Sequence, residues 1–175
     1  MQQRMRFFKK QEGFTLLELI MTMVILAILA TIAIPTFSVW LPEYRLKKAA
    51  RDLYSNIQLA KMQAVRTNRD HTVSFNTGAG LYQVLDNGVT VVKTVNLSNY
   101  GSGVSYGFGN ATKTVPGGVP IDTVSYAGDS ATFNPRGTGG MGYVYLTNER
   151  STSYAVGTIT AGAVVLRKWN GADWE

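Results

Sequence analysis

One acidic residue lies inside the most apolar stretch of the sequence. Glu18 is the single charged residue between Phe14 and Ile34, in the run FTLLELIMTMVILAILATIAI. An ionisable residue at membrane depth is costly and by default functional, with a partner of opposite charge. The alternative is that Glu18 lies near one end of the run, so that its carboxylate reaches the polar interface. The stretch therefore predicts either an ion pair within a membrane or an interfacial acid.

Few other residues could perform catalysis or bind a metal. The chain has no cysteine and one histidine, His71, so a zinc site would need clustered acids, and acids are sparse. We expect His71 to be a surface or strand-start residue. No GxSxG context supports a Ser-His-Asp triad, although triads are not local in sequence. The glycines of residues 137–142 lack the Lys-Ser/Thr of a phosphate loop, and the aspartates lack calcium-loop spacing. The sequence thus offers no constellation for an enzyme and none for a cofactor.

Cations and tryptophans occur together near the end of the sequence, in LRKWNGADWE, and an arginine lies in NPRGTGG. Aromatic rings beside cations can stack on the bases of single-stranded DNA, but Trp packing at the end of a sheet is the favoured alternative. NPRGTGG is predicted to be a turn between strands, where a solvated arginine is the default. The candidate contacts to a partner or to DNA are Arg136, Arg167, Lys168, Trp169 and Trp174.

The apolar run must be carried by an element that crosses a bilayer. As a helix, residues 14–34 extend ~31 Å, which matches the ~30 Å hydrocarbon core. Half of the net charge of +6 lies in residues 1–13, which hold four basic residues and one acid. This basic flank predicts a cytoplasmic N-terminus, with the chain beyond the run outside. A secretory signal peptide is disfavoured because the run is long and lacks a strict A-x-A. A simple uncleaved anchor explains neither Gly13 nor Glu18.

The segment KKQEGFTLLELI, residues 9–20, closely resembles the class III leader of type IV pilins and type II secretion pseudopilins. The resemblance implies that a prepilin peptidase cuts between Gly13 and Phe14 and methylates the new N-terminus at Phe14. Glu18 and Pro35 then occupy positions that match the family pattern. The family role of this acid is to set the register of filament growth by pairing with the N-terminal amine, one helical turn away. Glycine at the cut lets a protease approach the backbone closely.

The helix is predicted to continue beyond the membrane as an amphipathic segment. Apolar residues recur at spacings of four and three and form one stripe: Leu46, Ala50, Leu53, Ile57, Ala60 and Ala64. This stripe should pack on a β-sheet, with the basic residues mostly on the other faces. A basic helix that contacts a membrane surface or DNA is the competing interpretation. Pro35 and Pro42 are candidate kinks.

After residue 70 the hydrophobic period changes to two, which is typical of strands. Strands are predicted at 71–76, 81–86, 89–97, 131–134, 142–146, 154–160 and 163–169, with weak strand character at 104–108. Asp86-Asn87-Gly88 predicts a hairpin turn, and residues 99–120 a long loop or irregular edge. The predicted fold class is α+β, with a long N-terminal helix packed on an antiparallel β domain of one or two small sheets.

Three further segments resemble the GspH/FimT family of minor pseudopilins and minor pilins: LKKAARDLYSNIQLAKMQAVRTNR, ATFNPRGTG and VVLRKWNGADW. The expected organisation is a leader at 1–13, a transmembrane and assembly helix at 14–35, its amphipathic continuation at 36–69, and a periplasmic β domain at 70–175. The resemblance implies a structural subunit that helps initiate or cap a type II secretion pseudopilus or a type IV pilus.

The same resemblance implies partners and a location. The expected partners are prepilin peptidase, other pilins or pseudopilins in the filament, and the inner membrane, which the chain crosses once before it enters a periplasmic pseudopilus or a surface pilus. A DNA-binding minor pilin for transformation is the alternative function. Some FimT-type pilins carry a glycine-arginine-x-arginine element for DNA uptake, and here the local sequence is Gly162-Ala163-Val164-Val165-Leu166-Arg167, so the element is absent. A membrane-anchored enzyme is the least favoured hypothesis.

Overall fold

A computed structural model describes residues 13–115, 117–159 and 162–175. The chain forms two compact units, Met1–Val39 and Trp40–Glu175. One helix, α1, runs from Leu16 to Thr67. Apart from Gly13, the predicted leader lies outside the described residues.

The apolar half of α1 has the properties of a membrane span. Among the described residues, α1 is the one helix that is long and apolar enough to cross a bilayer. Its hydroxyl groups donate to carbonyls of the preceding turn, from Thr22 to Leu19, from Thr31 to Ile28 and from Thr36 to Ile32, over 2.8, 2.6 and 2.9 Å. These bonds satisfy the hydroxyls without water, as hydrocarbon surroundings require.

The two prolines do not end the helix. Pro35 and Pro42 both lie within α1. Each proline lacks the N–H that would bond to the carbonyl four residues earlier, so each interrupts the hydrogen-bond ladder at one point. A bend at either position stays a prediction.

The β domain contains two four-stranded antiparallel sheets. The strands are β1 His71–Asn76, β2 Leu81–Asp86, β3 Thr90–Asn96, β4 Ser105–Tyr106, β5 Ser130–Phe133, β6 Gly142–Thr147, β7 Ser153–Thr158 and β8 Val164–Lys168. The order is β3-β2-β1-β5 in the first sheet and β4-β6-β7-β8 in the second. The predicted α+β fold class is therefore confirmed. Of the two predicted alternatives, one sheet or two, the structure has two.

The predicted hairpin joins β2 to β3. Asn87 and Gly88 both have positive φ, and the Val89 N–H donates to the Asp86 carbonyl over 3.1 Å. Positive φ at both central residues is the type I′ geometry, whose twist matches that of the flanking strands. The prediction that β3 extends to Leu97 is wrong, because Leu97 begins a short 3₁₀ helix, Leu97–Tyr100. The side chain of Asn96 caps that helix by accepting from the Ser98 N–H.

The predicted apolar stripe of α1 is buried along its whole length. All six of its residues have no exposed surface, and they share a core, the first cluster, with inward-facing residues of both sheets, such as Val73 and Val144. A second cluster lies on the other face of the second sheet and includes Tyr143, Tyr145 and Trp174. Residues 143–146 of β6 alternate between the two clusters, because successive side chains of a strand point to opposite faces.

Leu53→Ala is expected to destabilise the β domain by about 2–5 kcal/mol, since the residue has no exposed surface and its removal leaves a cavity under both sheets. Chemical denaturation followed by tryptophan fluorescence measures the change. The matched control is Lys47→Ala on the exposed face of the same helix, which should stay within about 0.5 kcal/mol. Equal losses in the two variants would contradict the packing of this stripe.

Candidate functional site

Thr15 caps the N-terminus of α1. The Leu19 N–H donates to the Thr15 carbonyl over 3.2 Å, and the Glu18 N–H donates to Thr15 Oγ1 over 3.2 Å. Threonine at the N-cap with glutamate three residues later is the capping-box spacing. An acid in the first turn is also favoured by the helix dipole. The predictions for Glu18 were the register pair and the interfacial acid, and this cap was not predicted, although the Thr-Leu-Leu-Glu spacing is the signal that identifies it.

The predicted cleavage point is exposed. Phe14 has 82% of its surface exposed, and Gly13 precedes the first turn of α1. Apart from the chain neighbours of Gly13, no described atom lies within 4 Å of a Cβ built at this glycine. Glu18 follows Phe14 by four positions, which is about one helical turn. The arrangement is compatible with cleavage at Gly13 and with pairing of the new amine and Glu18, and both stay predictions.

Four of the five predicted contact residues meet at the end of the second sheet. Trp169 and Trp174 are 7% and 5% exposed, and their rings meet edge to face with centroids 5.3 Å apart. Trp174 Nε1 donates to the Lys113 carbonyl over 2.8 Å. Arg167 Nη1 donates to the Trp174 carbonyl over 3.0 Å. Packing at the sheet end is therefore the observed role of both tryptophans, and neither ring is open to stack on a base.

Lys168 is exposed but paired. Its Nζ lies 2.5 Å from Glu43 Oε1, so β8 is joined to α1. The hydrogen bond that Lys168 donates to Glu43 raises the pKa of Lys168 above its usual range. This pair accounts for the charge of Lys168 without a nucleic-acid partner.

Arg136 lies apart from this group, in the turn between β5 and β6. The turn is organised by Asn134, whose Oδ1 accepts from the Arg136 and Thr138 N–H groups over 3.0 and 3.2 Å. Gly137 has a φ of 72° and packs against Val65 of α1. The predicted turn is thus confirmed, and it leaves the Arg136 side chain exposed.

His71 is the first residue of β1, which confirms the expectation of a strand-start residue. Its side chain is buried. It is 2% exposed, with Nε2 3.6 Å from Asp86 Oδ1. The expectation of a surface residue is wrong, because pairing of β1 with both β2 and β5 covers the ring. Within the described ranges, no three His, Asp or Glu residues are close enough to hold a metal.

A polar network centred on the buried Asn56 joins α1 to the first sheet and was not predicted from the sequence. Asn56 is 5% exposed; its Nδ2 donates to the Tyr82 hydroxyl over 2.7 Å, and its Oδ1 accepts from Lys93 Nζ over 2.9 Å. Burial raises the pKa of Tyr82 to about 12, and burial likewise raises the pKa of Tyr126 to about 12. The network fixes the register of α1 on the sheet, because a shift would leave the buried Asn56 amide and the buried Tyr82 hydroxyl unpaired.

The raised tyrosine pKa values predict loss of stability at alkaline pH. Unfolded tyrosine ionises near pH 10, whereas Tyr82 and Tyr126 keep their protons to about pH 12 in the folded state. The folded state therefore binds more protons between these values, and stability must fall as pH rises through this window. Each of the two tyrosines should lower the free energy of unfolding by up to ~2.7 kcal/mol by the top of this pH window.

Denaturation at a series of pH values tests this expectation. Tyr82→Phe and Tyr126→Phe should each reduce the slope of unfolding free energy against pH, and the double variant should reduce it further. A slope unchanged in the double variant would show that other groups govern the alkaline transition.

Comparisons with known proteins agree with this architecture. The family model for type II transport protein GspH matches residues 49–163, and the prokaryotic N-terminal methylation motif matches residues 8–34. No curated protein matches the chain.

Two solved structures are similar to the chain at 14% sequence identity each. The minor pseudopilin EpsH from the type 2 secretion system of Vibrio cholerae has a TM-score of 0.50, over 70% of this chain and 95% of that chain. The type IV minor pilin FimU of Pseudomonas aeruginosa has a TM-score of 0.49, over 76% of this chain and 94% of that chain. The likeness to EpsH shows a shared pilin-like fold.

The GspH model covers more than half of the chain, from within α1 to the loop before β8. The methylation motif covers the predicted cleavage point and the apolar run. The chain therefore belongs to the GspH family of type II transport proteins, and it also carries the prokaryotic N-terminal methylation motif.

Proposed function

We propose that the chain is a minor pseudopilin or minor pilin, which prepilin peptidase cleaves after Gly13 and methylates at Phe14. The observation that carries the proposal is the presence of both family matches in one chain, in the order that a processed filament subunit needs. The apolar part of α1 then holds the subunit in the inner membrane until it enters a filament. The β domain lies on the periplasmic side, because the basic flank keeps the precursor N-terminus in the cytoplasm.

Glu18 acts in assembly in this proposal. The amine created at Phe14 lies about one turn from Glu18 and can pair with it in the same chain or in a neighbouring subunit. Support comes from the capped first turn, which holds the Glu18 backbone at the start of the helix through Thr15. Such a pair is retained in an apolar layer because each charge alone would be costly there.

Mass spectrometry of the chain isolated from its native membrane tests the processing step. The expected N-terminus is Phe14 carrying one additional methyl group. The matched sample is the same chain produced without prepilin peptidase, which should begin before Gly13 and carry no methyl group. A native chain that begins at any other residue would contradict the proposal.

DNA binding stays a prediction for a smaller set of residues. Of the five candidate contacts, Arg136 and Lys168 are exposed, and Lys168 is paired with Glu43. Gel-shift titration tests the alternative, since binding by phosphate neutralisation should weaken steeply as salt rises. Absence of any shift at low salt would end it.

A further inference from the structure

Two large aromatic side chains are exposed on α1 one turn apart. Trp40 is 52% exposed and Tyr44 is 50% exposed. Their rings stack with centroids 5.0 Å apart and an interplanar angle of 23°. The other two tryptophans of the chain, Trp169 and Trp174, are buried. The stacked pair thus presents amphipathic aromatic surface to its surroundings at one place on the helix.

The position of the pair along the chain matches the edge of a bilayer. No charged residue occurs from Leu19 to Pro42. Trp40 follows Ile34 by six residues, which is ~9 Å in a helix. A bilayer of ~40–45 Å with a ~30 Å hydrocarbon core has headgroup layers of ~5–8 Å on each side. Because Cα–Cβ bonds of a helix tilt toward its N-terminus, the rings of Trp40 and Tyr44 lean back toward that layer.

The chemistry of the pair also fits this layer. Trp and Tyr are enriched at membrane interfaces because their rings are apolar while their N–H and O–H groups are polar. Phospholipid phosphates and ester carbonyls accept hydrogen bonds from such polar groups, while the ring faces contact the apolar part of the layer. The next residues toward water are basic: Arg45, Lys47 and Lys48. Long basic side chains near the end of a membrane helix extend their charged groups to the interface, so these three cations are compatible with the same placement.

We propose that Trp40 and Tyr44 form an interfacial anchor that contacts the phospholipid headgroup layer of the periplasmic leaflet and sets the depth of α1. This inference rests on the proposed membrane anchoring. A headgroup layer is favoured over DNA or a neighbouring chain because α1 continues without a break from the apolar run to the pair.

Depth-dependent fluorescence quenching tests this assignment on the full chain. The chain is reconstituted in phosphatidylcholine–phosphatidylglycerol vesicles that carry a nitroxide at the headgroup, midway along the acyl chain, or at the acyl terminus. The Trp40→Phe variant is measured in parallel, and the difference between the two chains isolates the Trp40 signal. The headgroup probe should remove most of this difference signal, and the acyl-terminal probe the least. Trp40→Phe itself should show little lipid-dependent quenching, because Trp169 and Trp174 lie in the β domain.

Each contrary result has a distinct meaning. Strong quenching by aqueous iodide, with none by any lipid probe in a chain that floats with the vesicles, would overturn the interfacial anchor while membrane anchoring stands. Trp40 shielded from both iodide and lipid would point to a protein occupant and likewise overturn it. Quenching of Trp40 by added single-stranded DNA, without lipid quenching, would assign the pair to nucleic acid. A chain that does not float would contradict the membrane anchoring and the inference together.

Discussion

Gly13→Leu is expected to slow removal of the leader by at least about tenfold, which corresponds to ~1.4 kcal/mol of lost transition-state stabilisation. The physical reason is that a side chain at the cut obstructs close approach of a protease to the backbone. The substitution should not disturb the fold, because no described atom other than its chain neighbours lies within 4 Å of a Cβ at this position. Pulse-labelling followed by separation of precursor and mature chain measures the rate.

The unprocessed chain is also expected to stay out of filaments. It retains Arg4, Arg6, Lys9 and Lys10 on the cytoplasmic side of the apolar run. Drawing the helix outward would carry these cations into hydrocarbon, at a cost of at least ~2.5–3.5 kcal/mol each. Gly13→Ala is the graded control and should be cleaved faster than the leucine variant. Full processing of Gly13→Leu at the normal rate would place the cut elsewhere.

Glu18→Gln is expected to leave processing intact and to reduce incorporation into filaments by about a hundredfold or more. Replacement of the carboxylate leaves the Phe14 amine without a partner in an apolar layer. Loss of one partner of a buried pair costs about 3–5 kcal/mol, and each 1.4 kcal/mol corresponds to a factor of ten. Sheared filaments and membranes are compared by immunoblotting, and mass spectrometry of the membrane fraction verifies the mature N-terminus.

The control must separate the carboxylate from the helix cap. Thr15→Ala removes the hydroxyl that accepts from the Glu18 N–H and costs about 1 kcal/mol of helix stability, but it keeps the acid. It should therefore impair incorporation far less than Glu18→Gln. Equal defects in the two variants would mean that Glu18 acts through the cap, and normal incorporation of Glu18→Gln would remove the register role.

Local features of the chain were predictable from the sequence because each depends on near neighbours. The stripe from Leu46 to Ala64 follows from helical spacing alone, and all of it is buried. The turn at Asn87 and Gly88 follows from the conformations that these two residue types tolerate. The methylation motif is likewise contiguous, and the family match at residues 8–34 agrees with it.

Features that depend on distant residues were not predictable in the same way. His71 shows a strand pattern, but its burial depends on β2 and β5 pairing on both sides of β1. Asn56 is a polar residue in an amphipathic helix, and its role requires Tyr82 and Lys93 from two other elements. Trp174 could have stacked on a base or packed on a sheet, and its place in the structure depends on a distant partner, the Lys113 carbonyl that accepts from its Nε1.

The sequence by itself therefore determined the apolar helix, the N-terminal methylation motif, the buried stripe and most of the strands, since these depend on residue type and short-range spacing. The tertiary structure alone decided that eight strands form two sheets, that both C-terminal tryptophans are enclosed, and that Trp40 and Tyr44 present stacked rings outside the core. The reason is that strand pairing and burial depend on which distant segments meet, and such contacts leave no fixed period in the chain.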